Sequence, residues 1–410
     1  MTKAPKHKWT FAARFRYHAF GWRSQPAILR VNEAVAEIKA AARHDQMLAA
    51  EGAVLFLEKL SPALEQVDSS SGAIGTAVNN AIATLVPIIA EAPADEKNRS
   101  SLLDRLWKAV EEDAIPYIEI LPEYWGELCR TPELASHWAD ELVHPVRITW
   151  SAERRAGGGY FKGTTACLSA LCAAGRYEEV LSLLDLAPYK FWSYRQWGVK
   201  ALVALGKKAE ALRYAEESRD QYSSPIAIAE TCEEVLLASG MTDEAYHRYA
   251  IEANQKTTYL ATFRAIAKKY PLKEARVILD DLVASSPSNE GKWFAAAKSA
   301  GLYNEAIELA NRTPCDPKTL IRAARDMKNR EPRFAVEAGI TALRWLAAGY
   351  GYEITSLDVR EAWQFTMEAG RNAGCEDEAR ERIRALLANT PSPSLMVSKM
   401  LGPELEMSVQ

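Results

Sequence analysis

The sequence predicts an all-α fold, an α-solenoid of stacked antiparallel helix pairs, and three observations carry that prediction. First, one short phrase recurs: Gly175-Arg-Tyr177-Glu-Glu179-Val180, Gly206-Lys-Lys-Ala-Glu210-Ala211, Gly240-Met-Thr-Asp-Glu244-Ala245 and Gly301-Leu-Tyr303-Asn-Glu305-Ala306. A variant stands at Tyr270-Pro-Leu-Lys-Glu274-Ala275, and the copies lie 30 to 34 residues apart. That is the period of stacked two-helix units. Second, each phrase follows an apolar run of helical spacing, such as Ala166, Leu168, Ala170 and Leu171, or Trp197, Val199, Ala201 and Leu202. Third, the phrase has the chemistry of a helix end followed by a helix start.

Glycine ends the first helix of each pair because it adopts the left-handed cap conformation at little steric cost. The acid four positions later falls in the first turn of the next helix, where the dipole favours negative charge. The Ala or Val after it lets the two helices approach closely. One such hairpin cannot bury its apolar face alone, so neighbours must stack on it.

These residues resemble the tetratricopeptide repeat, a helix-turn-helix family. Gly175, Tyr177, Glu179 and Val180, and Gly301, Tyr303, Glu305 and Ala306, match its turn and second-helix start. Leu171, Leu202, Leu236 and Ile266 take the large apolar position before the turn. The resemblance covers residues 160–315, implies a right-handed superhelix with a concave groove lined by the first helices, and carries no catalytic residue.

Along the chain, residues 1–30 form a basic, aromatic N-terminal arm without a single acid. Its bases include Lys6, Lys8, Arg14, Arg16 and Arg23, interleaved with Trp9, Phe11, Phe15, Tyr17, Phe20 and Trp22. Cations hold phosphates and aromatic rings stack on bases, so these five cations are the candidate nucleic-acid contacts. The same residues also read as an arm whose aromatics pack on the first helices, or as an organelle-targeting start.

Residues 31–150 look like an irregular, HEAT-like helical continuation, with helices expected at 27–43, 46–60, 73–91, 96–113, 115–129 and 132–149. Prolines at 62, 87, 93, 116, 122, 132 and 145 punctuate them. Asp68 to Thr76 reads as an inter-helix loop, since it lacks the Gly-Lys-Ser/Thr ending of a phosphate-binding loop. Residues 91–141 carry 13 acids against 5 bases, the pattern of a solvated acidic face. Glu133, His137, Asp140, Glu141 and His144, and the pair Glu244 and His247, have a spacing used by metal-binding bundles, but the further carboxylates are missing. They read as exposed helix charges, and no metal is expected.

A Gly-rich loop with Arg154 and Arg155 is expected at 151–159, between the two halves. Within 160–315, the stretch Tyr189, Phe191, Trp192, Tyr194, Arg195 and Trp197 holds more aromatics than one turn needs. It is either core packing or a binding anchor. Longer hairpins and a charged cap follow over 316–390, and a loosely packed tail over 391–410.

Composition is that of a water-soluble globular chain, with 48% hydrophobic and 25% charged residues and a net charge of −4. Six scattered cysteines show no CxxC pair, and Cys167 and Cys232 sit at equivalent repeat positions as small buried residues. No signal-type start and no apolar run of membrane-spanning length stands out, so a cytoplasmic protein without a membrane partner is expected.

No nucleophile elbow, zinc-protease, kinase or dinucleotide motif is present, and no cofactor is expected. The function expected is that of a non-catalytic scaffold. Lys200, Arg264, Lys268 and Lys298 recur at equivalent places in successive first helices, interrupted by Glu230 and Glu234. They form a candidate basic groove for an acidic peptide or protein partner. The alternatives are nucleic-acid binding through this stripe and the arm, and an enzyme with a composite site.

Overall fold

The phrase glycines do close helices. In the computed structural model, which describes residues 7–151, 160–220, 223–390 and 394–406, Gly175, Gly206, Gly240 and Gly301 have φ of 74°, 78°, 74° and 76°. Each turn makes the same two bonds back into the helix it ends. At the first, Arg176 N–H donates to Leu171 O at 2.9 Å and Gly175 N–H to Cys172 O at 3.1 Å. This double bond pattern is the Schellman cap, which satisfies carbonyls that the helix leaves open. The acids Glu179, Glu210, Glu244 and Glu305 then lie in the first turn of the following helix.

Among the described residues there are twenty-one α-helices and no strand. The chain divides into two compact units, up to Thr231 and from Cys232 onward. The first unit holds α1 (Ser24–Ala42), α2 (Gln46–Leu64), α3 (Ala73–Glu91), α4 (Glu96–Glu112), α5 (Trp125–Cys129), α6 (Pro132–Thr149), α7 (Thr164–Ala173), α8 (Tyr177–Leu184), α9 (Trp192–Ala204) and α10 (Lys208–Glu216). The boundary falls within α11 (Pro225–Leu237). The second unit continues with α12 (Thr242–Ala253), α13 (Tyr259–Lys269), α14 (Ala275–Ala284), α15 (Phe294–Ser299), α16 (Tyr303–Arg312), α17 (Pro317–Met327), α18 (Pro332–Ala347), α19 (Ser356–Ala373), α20 (Glu376–Asn389) and α21 (Leu395–Glu406).

Within each unit, helices pack on their next and next-but-one neighbours, as an α-solenoid requires. In the second unit the pairs are α13–α14, α15–α16, α17–α18 and α19–α20. The first helices touch in a row through α13–α15 and α17–α19, and the second helices through α16, α18 and α20.

The first unit departs from expectation at four places. The helix expected over 115–129 is only a 3-10 turn at Leu121–Tyr124 and the short α5. Pro116 and Pro122 interrupt it, and the buried Asp113 carboxylate takes the Ile118 N–H at 3.0 Å in place of a helical acceptor. Helix α2, expected to end at 60, runs on to Leu64 with Pro62 inside it, while Pro87 and Pro145 lie inside α3 and α6, within the spans expected for those helices. Helix α3 does reach membrane-spanning length, with mean hydropathy 1.6. It is a core helix, its Ile74, Val78, Ile82 and Leu85 buried and its neighbours α1, α2 and α5. The Gly-rich segment does not divide the units: α6 packs on α7 across it, while residues 152–159, with Arg154 and Arg155, lie outside the described residues.

At the other end, the tail expected to be loose contains α21, which packs on α18, α19 and α20 and buries Val397 and Leu401.

Arg99 shows how the first unit closes a helix end without glycine. Only 4% exposed, its guanidinium donates to the carbonyls of Ile89 and Ala90 in the last turn of α3 and of Ala92 just past it. A planar fork with several N–H groups suits three diverging acceptors.

Candidate ligand-binding face

The sequence-derived basic stripe divides between the two units. Lys200, on α9 in the first, is exposed and lies 3.9 Å from the centroid of the Trp197 ring, a cation–π contact. The other three stand on the first-helix row of the second unit. Arg264 and Lys268 are exposed one turn apart on α13, and Lys298 is half-buried on α15. Arg264 Nη2 donates to the hydroxyl of Ser299, the neighbour of Lys298, at 3.1 Å. Helices α13 and α15 therefore meet at Arg264 and Ser299.

Helix α17 adds two cations to them. Burial pulls the Lys298 ammonium below its usual pKa; Asp326 opposes that, and the guanidiniums of Arg322 and Arg325 add to it. Arg325 is paired with Asp326 at 2.9 Å. Arg322 donates Nη2 to the Thr319 hydroxyl at 2.9 Å. Among the described residues, Arg264, Lys268, Lys298 and Arg322 form no ion pair. Most bases around them do: Lys269 pairs with Glu233, Lys273 with Asp243, Arg276 with Glu305 and Lys328 with Glu368. Sequence reasoning missed Arg322 and Arg325 because α17 ends in Lys328-Asn329-Arg330, without the glycine that sets the register.

Adjacent Lys268 and Lys269 have opposite fates. Lys269 Nζ lies 2.6 Å from Glu233 Oε2, and Glu233 is fully buried. Tyr270 Oη and Asn254 Nδ2 donate to Glu233 Oε1 at 2.6 and 2.8 Å. This is the desolvated acid that a composite catalytic site would need. Its two oxygens are already held by three donors, which makes it an anchor between α11, α12 and the end of α13.

The aromatic stretch is partly core and partly exposed. Trp197 is buried, while Tyr189 and Phe191 are 54% and 42% exposed and stacked at 5.3 Å. Trp192 is half-buried, and Tyr194 sits against Trp150 at 5.4 Å. Arg195 is engaged in packing: its guanidinium lies 3.5 Å over the Tyr214 ring and Nε donates to Ser218 Oγ at 2.6 Å.

The arm is largely core as well. Trp9, Phe11 and Phe15 are buried, the last two edge-on to Phe56 at 5.6 and 5.0 Å. Arg14 pairs with Glu33, and Arg16 donates to its own turn at Ala13 O. Lys8 and Arg23 are exposed, and Lys6 lies outside the described residues. Tyr17 and Trp22 are 69% and 72% exposed.

Of the metal-like acids, Asp140 pairs with Arg176 at 2.6 Å and Glu244 with Arg248 at 2.8 Å. No group of three or more His, Cys, Asp or Glu able to hold a metal occurs among the described residues. All six cysteines are free, and burial pushes the thiols of Cys129, Cys167, Cys172 and Cys315 up to about 12. Such thiols are inert.

A feature the repeat pattern does not point to lies on the second-helix row. A cleft of about 600 Å³ between α16, α18 and α20 is floored by Tyr303 and Phe334 and rimmed by Glu331, Glu378 and Arg382. Arg382 meets Glu337 there in a two-point ion pair at 2.6 and 2.7 Å. Neither the protein-family models nor the curated proteins compared with this chain match it.

Proposed function

We propose that the chain is a tetratricopeptide-like interaction scaffold, with no catalytic role, that binds an acidic segment of a partner protein. The first-helix row α13–α15–α17 of the second unit is the binding face. One observation carries the reading: Arg264, Lys268, Lys298 and Arg322 form no ion pair among the described residues, while most bases around them do. Like charges gathered on a partly desolvated surface oppose folding, so a structural role gives no reason to place them there. An anionic ligand supplies one. The buried Trp9, Phe11 and Phe15 leave the arm few rings to stack on bases, which weighs against the nucleic-acid alternative.

The test uses a fluorescently labelled glutamate-rich peptide titrated with the full chain, at low and raised salt. Binding should weaken steeply with salt and be lost in the double variant Arg264→Glu, Lys268→Glu. Equal binding by wild type and variant would remove this face from the mechanism.

A further inference from the structure

The cleft over Tyr303 and Phe334 is one half of a longer trough on the second-helix row. A second cavity of about 500 Å³ continues it along α18, lined by Ile340, Thr341, Arg344 and the amides of Asn311 and Asn389. Both cavities border on Glu337 and Arg382, whose two-point ion pair links α18 to α20. Helix α18 packs on both α16 and α20, so its surface is the floor and theirs are the walls. At the first end, Tyr303 of the α16 wall meets Phe334 of the floor with ring centroids 4.8 Å apart, and Ile307 and Val336 line the same recess.

Charge is divided along this trough. The shared pair of Glu337 and Arg382 neutralises itself. What remains at the Tyr303 end is Glu308, Glu331 and Glu378 against Arg333. Glu308 faces Arg312 at 3.6 Å, one turn along α16, whereas Glu331, Arg333 and Glu378 form no ion pair among the described residues. At the other end the remaining charged residue is Arg344, which gives Nη1 to Asn311 Oδ1 at 3.0 Å and pairs with no acid among the described residues. The acidic end coincides with the starts of α18 and α20, and the basic end with their later turns. Acids at helix starts are ordinary; an open recess floored by two rings is not needed to cap a helix.

Floor and walls are helical, so their backbone groups are bonded within the helices and an extended peptide finds no edge to pair with. Recognition there falls to side chains, as when a helix lies in a groove. From Phe334 to Arg344 is nearly three turns, about 15 Å at 1.5 Å per residue.

We infer that the trough seats a three-turn amphipathic helix of a partner protein, antiparallel to α18. An apolar side chain of that helix fills the recess over Tyr303 and Phe334. Lys or Arg residues of its last turn face Glu331 and Glu378, and acids of its first turn face Arg344. This direction also places the partner's charges at the helix ends where its own dipole favours them.

The experiment measures retention of two peptide pools on the immobilised full chain carrying Arg264→Glu and Lys268→Glu, so that the basic face proposed above is disabled. Peptides of both pools are about four turns long with random apolar residues along one helical stripe. One pool has Glu in the first turn and Lys in the last, and the other the reverse. The first should be retained about tenfold more than the second. Glu331→Lys with Glu378→Lys, both at exposed positions, should reverse the preference, an outcome that misfolding does not produce. Arg344→Glu, at the opposite end, should shift it in the same direction. Equal retention, retention of neither pool, or a preference untouched by these substitutions overturns the inference and leaves the acidic-segment reading to its own titration. Light scattering covers the other occupant: a dimer that the paired Glu→Lys substitutions break assigns the trough to a second copy of this chain and overturns the partner helix.

Discussion

The hydroxyl of Tyr270 donates to the fully buried carboxylate of Glu233 at 2.6 Å. These two residues tie α11 to the end of α13, at the repeat boundary where Tyr270 itself takes the place of the capping glycine. Replacing Glu233 with Leu should destabilise the protein by about 3–5 kcal/mol, since it strands Lys269 and two further donors. Tyr270→Phe should cost about 1–3 kcal/mol. Urea unfolding of the two variants checks the order.

Alkaline pH should expose the same contact. Burial, the bond to Glu233 and the charge of Glu233 all raise the Tyr270 pKa, and burial with the bond to Asp281 raises that of Tyr246. A raised folded pKa means that this stabilisation is complete below the ordinary tyrosine value of about 10 and is lost as pH climbs through the folded values. Above about 10 the unfolded chain releases these protons first, so unfolding free energy should fall with pH. The slope should be shallower in Tyr270→Phe.

Two glycines should fail for different reasons. No heavy atom lies within 4 Å of a Cβ built on Gly301, so Gly301→Ala should cost only backbone strain, about 1–2 kcal/mol, and Gly301→Asn less. At Gly339 the added Cβ would meet Thr366 Oγ1 at 1.9 Å, across the packed pair α18 and α19. Gly339→Ala should cost about 1–3 kcal/mol through overpacking, with a smaller volume change rescuing nothing. Thermal melts distinguish the cases: pairing each variant with Thr366→Ser or Thr366→Ala should restore the Gly339 variant only when Oγ1 is removed.

If the basic face exists for a ligand, removing its charge should stabilise the free protein. Lys298→Met is expected to raise unfolding free energy by up to about 1 kcal/mol, the usual exchange of function for stability at a binding site. A loss of stability would mark Lys298 as structural.

Arg99→Met should cost about 2–4 kcal/mol by leaving the carbonyls of Ile89, Ala90 and Ala92 without donors. Arg99→Lys should recover little of it, because an ammonium does not reproduce the planar fork. Denaturant midpoints of the two variants check this.

The helical hairpins were legible in the chain because a cap is local. Gly175 and Arg176, the carbonyls of Cys172 and Leu171 to which they donate, and the acid Glu179 lie close together in sequence, so backbone sterics and the helix dipole act between near neighbours in the chain. The same locality explains why Arg264, Lys268 and Lys298 could be picked out by register. It also explains the failure over 115–129, where helical periodicity is overridden by the Asp113 carboxylate and two prolines. Which side chain faces water is a different matter, since it depends on partners far along the chain. Lys268 and Lys269 are chemically identical, exposed neighbours, yet the first forms no ion pair among the described residues and the second is taken by Glu233, 36 residues away. Phe11 and Phe15 are core because α2 presents Phe56 to them, and Trp9 because the same helix offers it the bare backbone of Gly52. Local chemistry set the helices and their ends; packing between helices remote in sequence selected which charges stay unpaired on the surface.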